Sequence, residues 1–224
     1  MFLDLKKPLF VVVGTWNPAI FTNGWIARYL FCVPEGERID ANELVEFGPA
    51  QRRIVYIRNI GVAAHAKRIE FFANSMDPQT LNEIVELVKR TITTLPHTPL
   101  GGVGVNFFFQ VDDPDASIID ALKTRDRIEQ HYRVLMQSFE SKIAIADRED
   151  VVLNLTRIPS PDNVLFDFNY HLSRISADSV NQLDGLVDQF LQHATNVLQT
   201  VYGLDGYETR SHDFARPQVV VQGE

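Results

Sequence analysis

Three polar residues on alternate positions of one predicted strand form the strongest chemical grouping in this chain. From Val164 to Ser173 the residues Val164, Phe166, Phe168, Tyr170 and Leu172 fall on one face, which leaves Asp167, Asn169 and His171 together on the other. An extended strand spaces them about 7 Å apart. A carboxylate beside an imidazole can orient it as a general base, provided the two lie within hydrogen-bond reach. Neighbouring strands can add Asn154 and Thr156, or Asn106 and Gln110. The same alternation also describes the solvated face of an antiparallel sheet, apolar inward and polar outward.

A second grouping is aromatic. Trp16 and Trp25 flank Asn17-Pro-Ala-Ile-Phe-Thr-Asn-Gly24, and this density of rings and carboxamides suits either a recognition loop or a connection folded over the core. The remaining chemistry is sparse. Cys32 sits between Phe31 and Val33, an apolar setting in which a thiol acts as a small hydrophobe rather than a nucleophile. Gly101-Gly-Val-Gly104 precedes a strand instead of opening a helix and is not followed by Lys-Ser/Thr. It therefore reads as a tight connection or close backbone crossing, not a phosphate loop. The six histidines show no i, i+4 pair, and one cysteine cannot supply a zinc knuckle, so neither a metal nor another cofactor is expected.

The elements that must position these residues follow from periodicity. Leu9 to Val13 is a β-branched strand stopped by Gly14 and Pro18. In 18–33, Asn23-Gly24 suits a hairpin turn, but Thr22 can cap a short helix burying Ile26, Tyr29, Leu30 and Val33, and comparison with the second half favours the helix. Arg53 to Ile60 and His65 to Ala73 read as an antiparallel pair around Gly61. Asp77-Pro78 begins a helix with the stripe Leu81, Ile84, Val85, Val88, Ile92 and Leu95, ended by Pro96 and Pro99. Val103 to Val111 alternates strictly and is the clearest strand. A helix from Ile118 to about Gln137 follows, then strands at Lys142 to Ala146, Asp150 to Ile158 and Val164 to Ser173. A last helix is capped by Ser176 or Asp178 and carries Val180, Leu183, Val187, Phe190, Ala194, Val197 and Val201.

Leu81-Asn-Glu-Ile-Val-Glu-Leu-Val88 is echoed by Val180-Asn-Gln-Leu-Asp-Gly-Leu-Val187, and both halves read β-α-β-β-α. The expected fold is α+β: duplicated halves, 1–100 and 101–204, forming one domain with a mainly antiparallel curved sheet covered on one side by helices. A tail, 205–224, holds Pro217 to Gln222 as a possible edge strand.

Composition bounds the function. A chain of 224 residues with 45% hydrophobic residues buries about 70% of its unfolded surface and needs no staples. A net charge of −8 opposes phosphate-driven nucleic-acid binding, although Arg52, Arg53, Arg58, Lys67, Arg68, Lys123, Arg125 and Arg127 could still collect locally. No apolar run approaches the ~20 residues of a spanning helix, and no export signal is read, so a cytoplasmic protein without membrane attachment is expected. With no catalytic signature, the leading expectation is a non-enzymatic binding or assembly module, homo-oligomeric or docking a protein partner. The alternative is a small-molecule-binding protein or hydrolase with a pocket lined by Asp167, Asn169 and His171.

Overall fold

In the computed structural model, residues 1–38, 40–46, 52–122, 134, 136–146, 148–160, 162–173 and 175–211 are described. Eleven strands form one open sheet: β1 (Phe2–Asp4), β2 (Phe10–Gly14), β3 (Ala41–Glu46), β4 (Arg52–Ile57), β5 (Ile60–His65), β6 (Arg68–Ala73), β7 (Leu100–Asp112), β8 (Phe139–Ile145), β9 (Arg148–Pro159), β10 (Asn163–Leu172) and β11 (Glu208–Arg210). The order is β3-β4-β5-β6-β2-β7-β10-β9-β8. The short β1 pairs with β7 beyond the end of β2, and β11 pairs with β1. Every pairing is antiparallel except β1 with β11. The fold is therefore α+β on a mainly antiparallel sheet, as its alternating strands predict. On either side of the central β2–β7 pair the order runs β2-β6-β5-β4 and β7-β10-β9-β8.

The helices are α1 (Asn23–Trp25), which continues as a π-helical turn over Ile26–Leu30, then α2 (Pro78–Thr94), α3 (Ala116–Ala121) and α4 (Leu186–Tyr202). There are also 3-10 turns at Pro18–Ile20 and Ala177–Leu183. Their buried residues join one core with the inward faces of β2, β7, β9 and β10. Phe10, Val103, Val105, Phe166, Phe168 and Tyr170 are almost fully buried in it. Tyr170 stacks on Phe190 of α4 at 4.4 Å between ring centroids, and Phe166 meets Tyr202 edge-on at 4.8 Å. A second, smaller cluster of Ile54, Tyr56, Ala63 and Phe72 is built from strand residues alone.

Several elements depart from the sequence reading, each for a local reason. The segment from Arg53 to Ala73 holds three strands rather than two. The expected turn at Gly61 is the interior of β5, where a Cβ would come within 2.6 Å of the Tyr56 ring, so glycine is needed for packing. The turn itself falls at Arg58, which takes a left-handed φ of 55°. β3 was not anticipated because Ala41-Asn-Glu-Leu-Val-Glu46 has little β-branched character. Cross-strand ion pairs from Arg53 to Glu43 and from Arg52 to Glu46 support it against β4.

The segment after Pro18 is helical, with the Thr22 side chain accepting from the Trp25 amide at 3.2 Å. Its π turn shifts the buried set. Ile26, Ala27, Leu30 and Phe31 are buried while Tyr29 stays 45% exposed. That turn ends at Cys32, which has a left-handed φ of 55° and is exposed, so the apolar setting expected for its thiol is not found.

α2 matches its predicted stripe, with Leu81, Ile84, Val85, Val88 and Ile92 buried and Leu95 packed against the core. Its N-cap Asp77 accepts from the Thr80 amide at 2.9 Å. The last helix is broken instead: Gly185, at φ 69°, separates the 3-10 turn from α4. The echoed segment Val180 to Val187 therefore spans this break, whereas Leu81 to Val88 lies within α2. In the tail, β11 is an edge strand. The expected run Pro217 to Gln222, and most of the helix expected after Leu122, lie outside the described residues.

Candidate functional site

The register aligns the predicted polar residues into rows across the face opposite the helix-packed core. Asp167 lies between Phe108 of β7 and Thr156 of β9, and Thr156 lies beside Glu140 of β8. The next row is Asn106, Asn169, Asn154 and Lys142, and a third is Gly104, His171, Val152 and Ala144. Asp167, Asn169, His171, Asn154 and Thr156 thus share one surface, each partly exposed.

Within the second row the carboxamides form a relay. Asn154 Nδ2 donates to Asn169 Oδ1 at 3.0 Å, Asn169 Nδ2 donates to Asn106 Oδ1, and Asn106 Nδ2 donates to the Pro8 carbonyl at 3.1 Å. Asn106 is the deepest member, 6% exposed. Asn169 and Asn106 each use both ends of the amide, and Asn106 is anchored to backbone, which fixes the orientation of these two, while Asn154 is held through its Nδ2 alone.

Asp167 breaks this pattern. Its Oδ1 is buried and receives no hydrogen bond. Burial pushes its carboxyl up to about 6, and the nearby Lys7 charge only partly opposes the rise. Lys7 lies over the Phe108 ring, 5.7 Å from its centroid. A buried oxygen without a donor is costly and marks a place where an incoming donor would be favoured.

The general-base arrangement considered for Asp167 and His171 does not form. The two are four residues apart on one strand, about 13 Å along it, with Asn169 between them. The glycines of β7 make room for these side chains. A Cβ on Gly102 would stand 2.7 Å from the His171 ring and 2.6 Å from the Leu172 carbonyl, and one on Gly104 would stand 3.1 Å from Asn169 Nδ2. Close approach is thus the structural role of Gly102 and Gly104, and the glycine run lies inside β7 rather than before a strand as expected. Gln110 turns away and donates to Asp112 instead.

Trp16 and Trp25 lie elsewhere. Trp16 is 5% exposed and donates from Nε1 to the Val12 carbonyl at 3.2 Å, while its ring meets Phe21 edge-on. Trp25 is half-buried and packs between Phe21 and Tyr29. The segment therefore anchors Trp16 and Phe21 in the core, while Asn17, Pro18, Ala19, Thr22 and Gly24 stay exposed and Trp25 is half-buried.

The basic residues are largely neutralised. Arg52 and Arg68 both reach the buried Glu70, to which His65 also points, while Arg53 binds Glu43 and Arg58 binds Glu83. Lys123, Arg125 and Arg127 lie outside the described residues. Among the described residues no cluster of three His, Cys, Asp or Glu could hold a metal ion, and no helix is long and apolar enough to cross a membrane.

An open groove of about 580 Å³ lies along α4 and the start of the tail, lined among others by Gln192, His193, Asn196, Gln199 and Tyr207. None of Asp167, Asn169 or His171 lines it. His193 Nδ1 pairs with the Tyr170 hydroxyl at 2.8 Å, and burial lowers the imidazole below its usual range while raising the phenol above its own. Sequence reading missed this pair, because nothing in its spacing connects a strand tyrosine to a helix histidine 23 positions later. No protein-family model matches the chain, and no curated protein matches its sequence.

Proposed function

We propose that the chain is a non-enzymatic binding and assembly module that acts through protein–protein association, self-association included, and that a partner chain docks on the face of the sheet opposite the helix-packed core. One observation carries the reading. Asp167 Oδ1 is buried without a donor on a face whose neighbouring carboxamides are already paired among themselves. A backbone amide or a cationic side chain from a partner would satisfy it, and the oriented Asn154–Asn169–Asn106 relay beside it gives that partner a rigid polar surface. The separation of Asp167 from His171 favours binding over hydrolysis at this face.

The mirrored strand order about β2–β7 goes with a duplicated origin in which the second half diverged to carry this face. The same proposal places the protein in the cytosol, where a lone exposed Cys32 stays reduced.

The test is affinity capture from the native cell extract, with mass spectrometry of both the proteins and the small molecules retained, on the wild type and on Asp167→Lys. A protein retained by the wild type and lost in the folded variant is expected. A small molecule retained in its place would transfer the face to the alternative, a ligand-binding protein using Asp167, Asn169 and His171. Loss of neither would remove Asp167 from the site.

A further inference from the structure

The sheet is open, and β8 is one of its two ends. Among the described strands it pairs only with β9, so one side of its backbone has no strand partner. Along it, Phe139, Ser141, Ile143 and Ile145 are half-buried, and Glu140, Lys142 and Ala144 are exposed. The polar rows of the face opposite the helix-packed core end here: Asp167 and Thr156 lead to Glu140, while Asn169 and Asn154 lead to Lys142. Neither the Glu140 nor the Lys142 side chain has a hydrogen bond or ion pair among the described residues.

We infer that β8 is a self-complementary edge through which two copies of this chain join, antiparallel and centred on Ser141, so that their sheets become continuous. This deepens the proposed function and rests on its assembly reading.

The register follows from strand geometry. Residues directly opposite in an antiparallel pair project to the same face, so a two-fold axis normal to the sheet must pass beside one residue and its own copy. Centring on Glu140 or on Lys142 sets like charges opposite each other. Centring on Ile143 sets Lys142 opposite the exposed Ala144. Centring on Ser141 sets Glu140 opposite Lys142 of the second copy, twice by symmetry. On the inner face it sets half-buried Phe139 opposite half-buried Ile143, also twice.

Lys142 alone is a common guard against edge pairing. Its placement two residues after an unpaired glutamate turns that guard into a selector of one register. The bulge between Ala144 and Ile145 limits how far the pairing can run. In this dimer the row Asp167–Thr156–Glu140 of one copy continues into Lys142–Asn154–Asn169 of the other. The two polar faces lie side by side, forming one doubled docking surface.

Sedimentation velocity over a concentration series tests this, on the full chain and on Glu140→Lys, Lys142→Glu and the double swap, each checked for folding by circular dichroism. The wild type is expected to dimerise. Each single variant faces like charges across both contacts and dimerises about ten-fold more weakly or worse. The Glu140→Lys protomer presents two cations and the Lys142→Glu protomer two carboxylates, so their equimolar mixture forms a heterodimer of at least wild-type affinity. The double swap restores the homodimer.

Single variants that dimerise as the wild type does, or a mixture no tighter than its components, would overturn the β8 contact and leave the assembly reading standing. A monomeric wild type that still retains a partner on capture would overturn β8 alone. A monomeric wild type that retains no protein would overturn both.

Discussion

Asn154 donates to Asn169 across neighbouring strands at 3.0 Å, and Asn169 passes the interaction to Asn106, so one side chain ties two others together on the face opposite the helix-packed core. Replacing the middle member strands both of its partners. Asn169→Ala is expected to lower stability by about 1–2 kcal/mol, because the Asn106 oxygen and the Asn154 amide each lose a partner in a partly buried site. Asn154→Ala removes an end of the relay and should cost less. Urea denaturation of both variants measures the difference, and equal costs would mean that the relay does not act as a unit.

Asp167 gives the protein a pH signature of definite sign. Its carboxyl is pushed up to about 6 in the fold from an ordinary 3.8. Between these values the folded chain holds the proton more tightly than the unfolded chain, so stability falls as pH rises through the window and stays lower above it. Asp167→Asn should therefore stabilise the protein by about 2 kcal/mol near pH 7 and change it little below about pH 4. Denaturation midpoints of wild type and variant across this range check it. A gain that is the same at both ends would show that Asp167 ionisation carries no cost in the fold.

Gly102 takes a φ of 144° and faces the Leu172 carbonyl and the His171 ring, whereas Gly24 in α1 has no atom within 4 Å of where a Cβ would sit. Gly102→Ala is expected to destabilise by about 2–3 kcal/mol, through both backbone strain and the displaced His171. Gly24→Ala should be neutral, or stabilising by up to about 1 kcal/mol. Thermal melts of the two variants give the contrast, and a tolerated Gly102→Ala would mean that β7 and β10 can separate to admit a methyl group.

Legibility in the sequence tracked how local each cause is. β7, β10 and α2 were readable because burial on one face imposes period two or 3.6 on their own residues, and the shared surface of Asp167, Asn169 and His171 followed from the same alternation. β3 escaped because its support comes from Arg52 and Arg53 on another strand. Gly61 misled because a glycine that admits a neighbouring tyrosine ring looks identical, in one sequence, to a glycine that makes a turn.

The missing donor at Asp167 depends on register and depth, which a strand pattern does not encode, whereas the roughly 13 Å gap to His171 follows from strand rise alone. The exposure of Cys32 follows the π turn after α1, for which the sequence carries no marker, and the burial of Trp16 rests on its contacts with the Val12 carbonyl and the Phe21 ring.

Sedimentation equilibrium over a concentration series at low and high salt decides whether this chain associates with itself. Self-association gives a mass rising with concentration toward twice that of the single chain at low salt, with the dimer weakened by salt as screening reduces the Glu140–Lys142 pairs between copies. A single-chain mass at every concentration and both salt levels would contradict it.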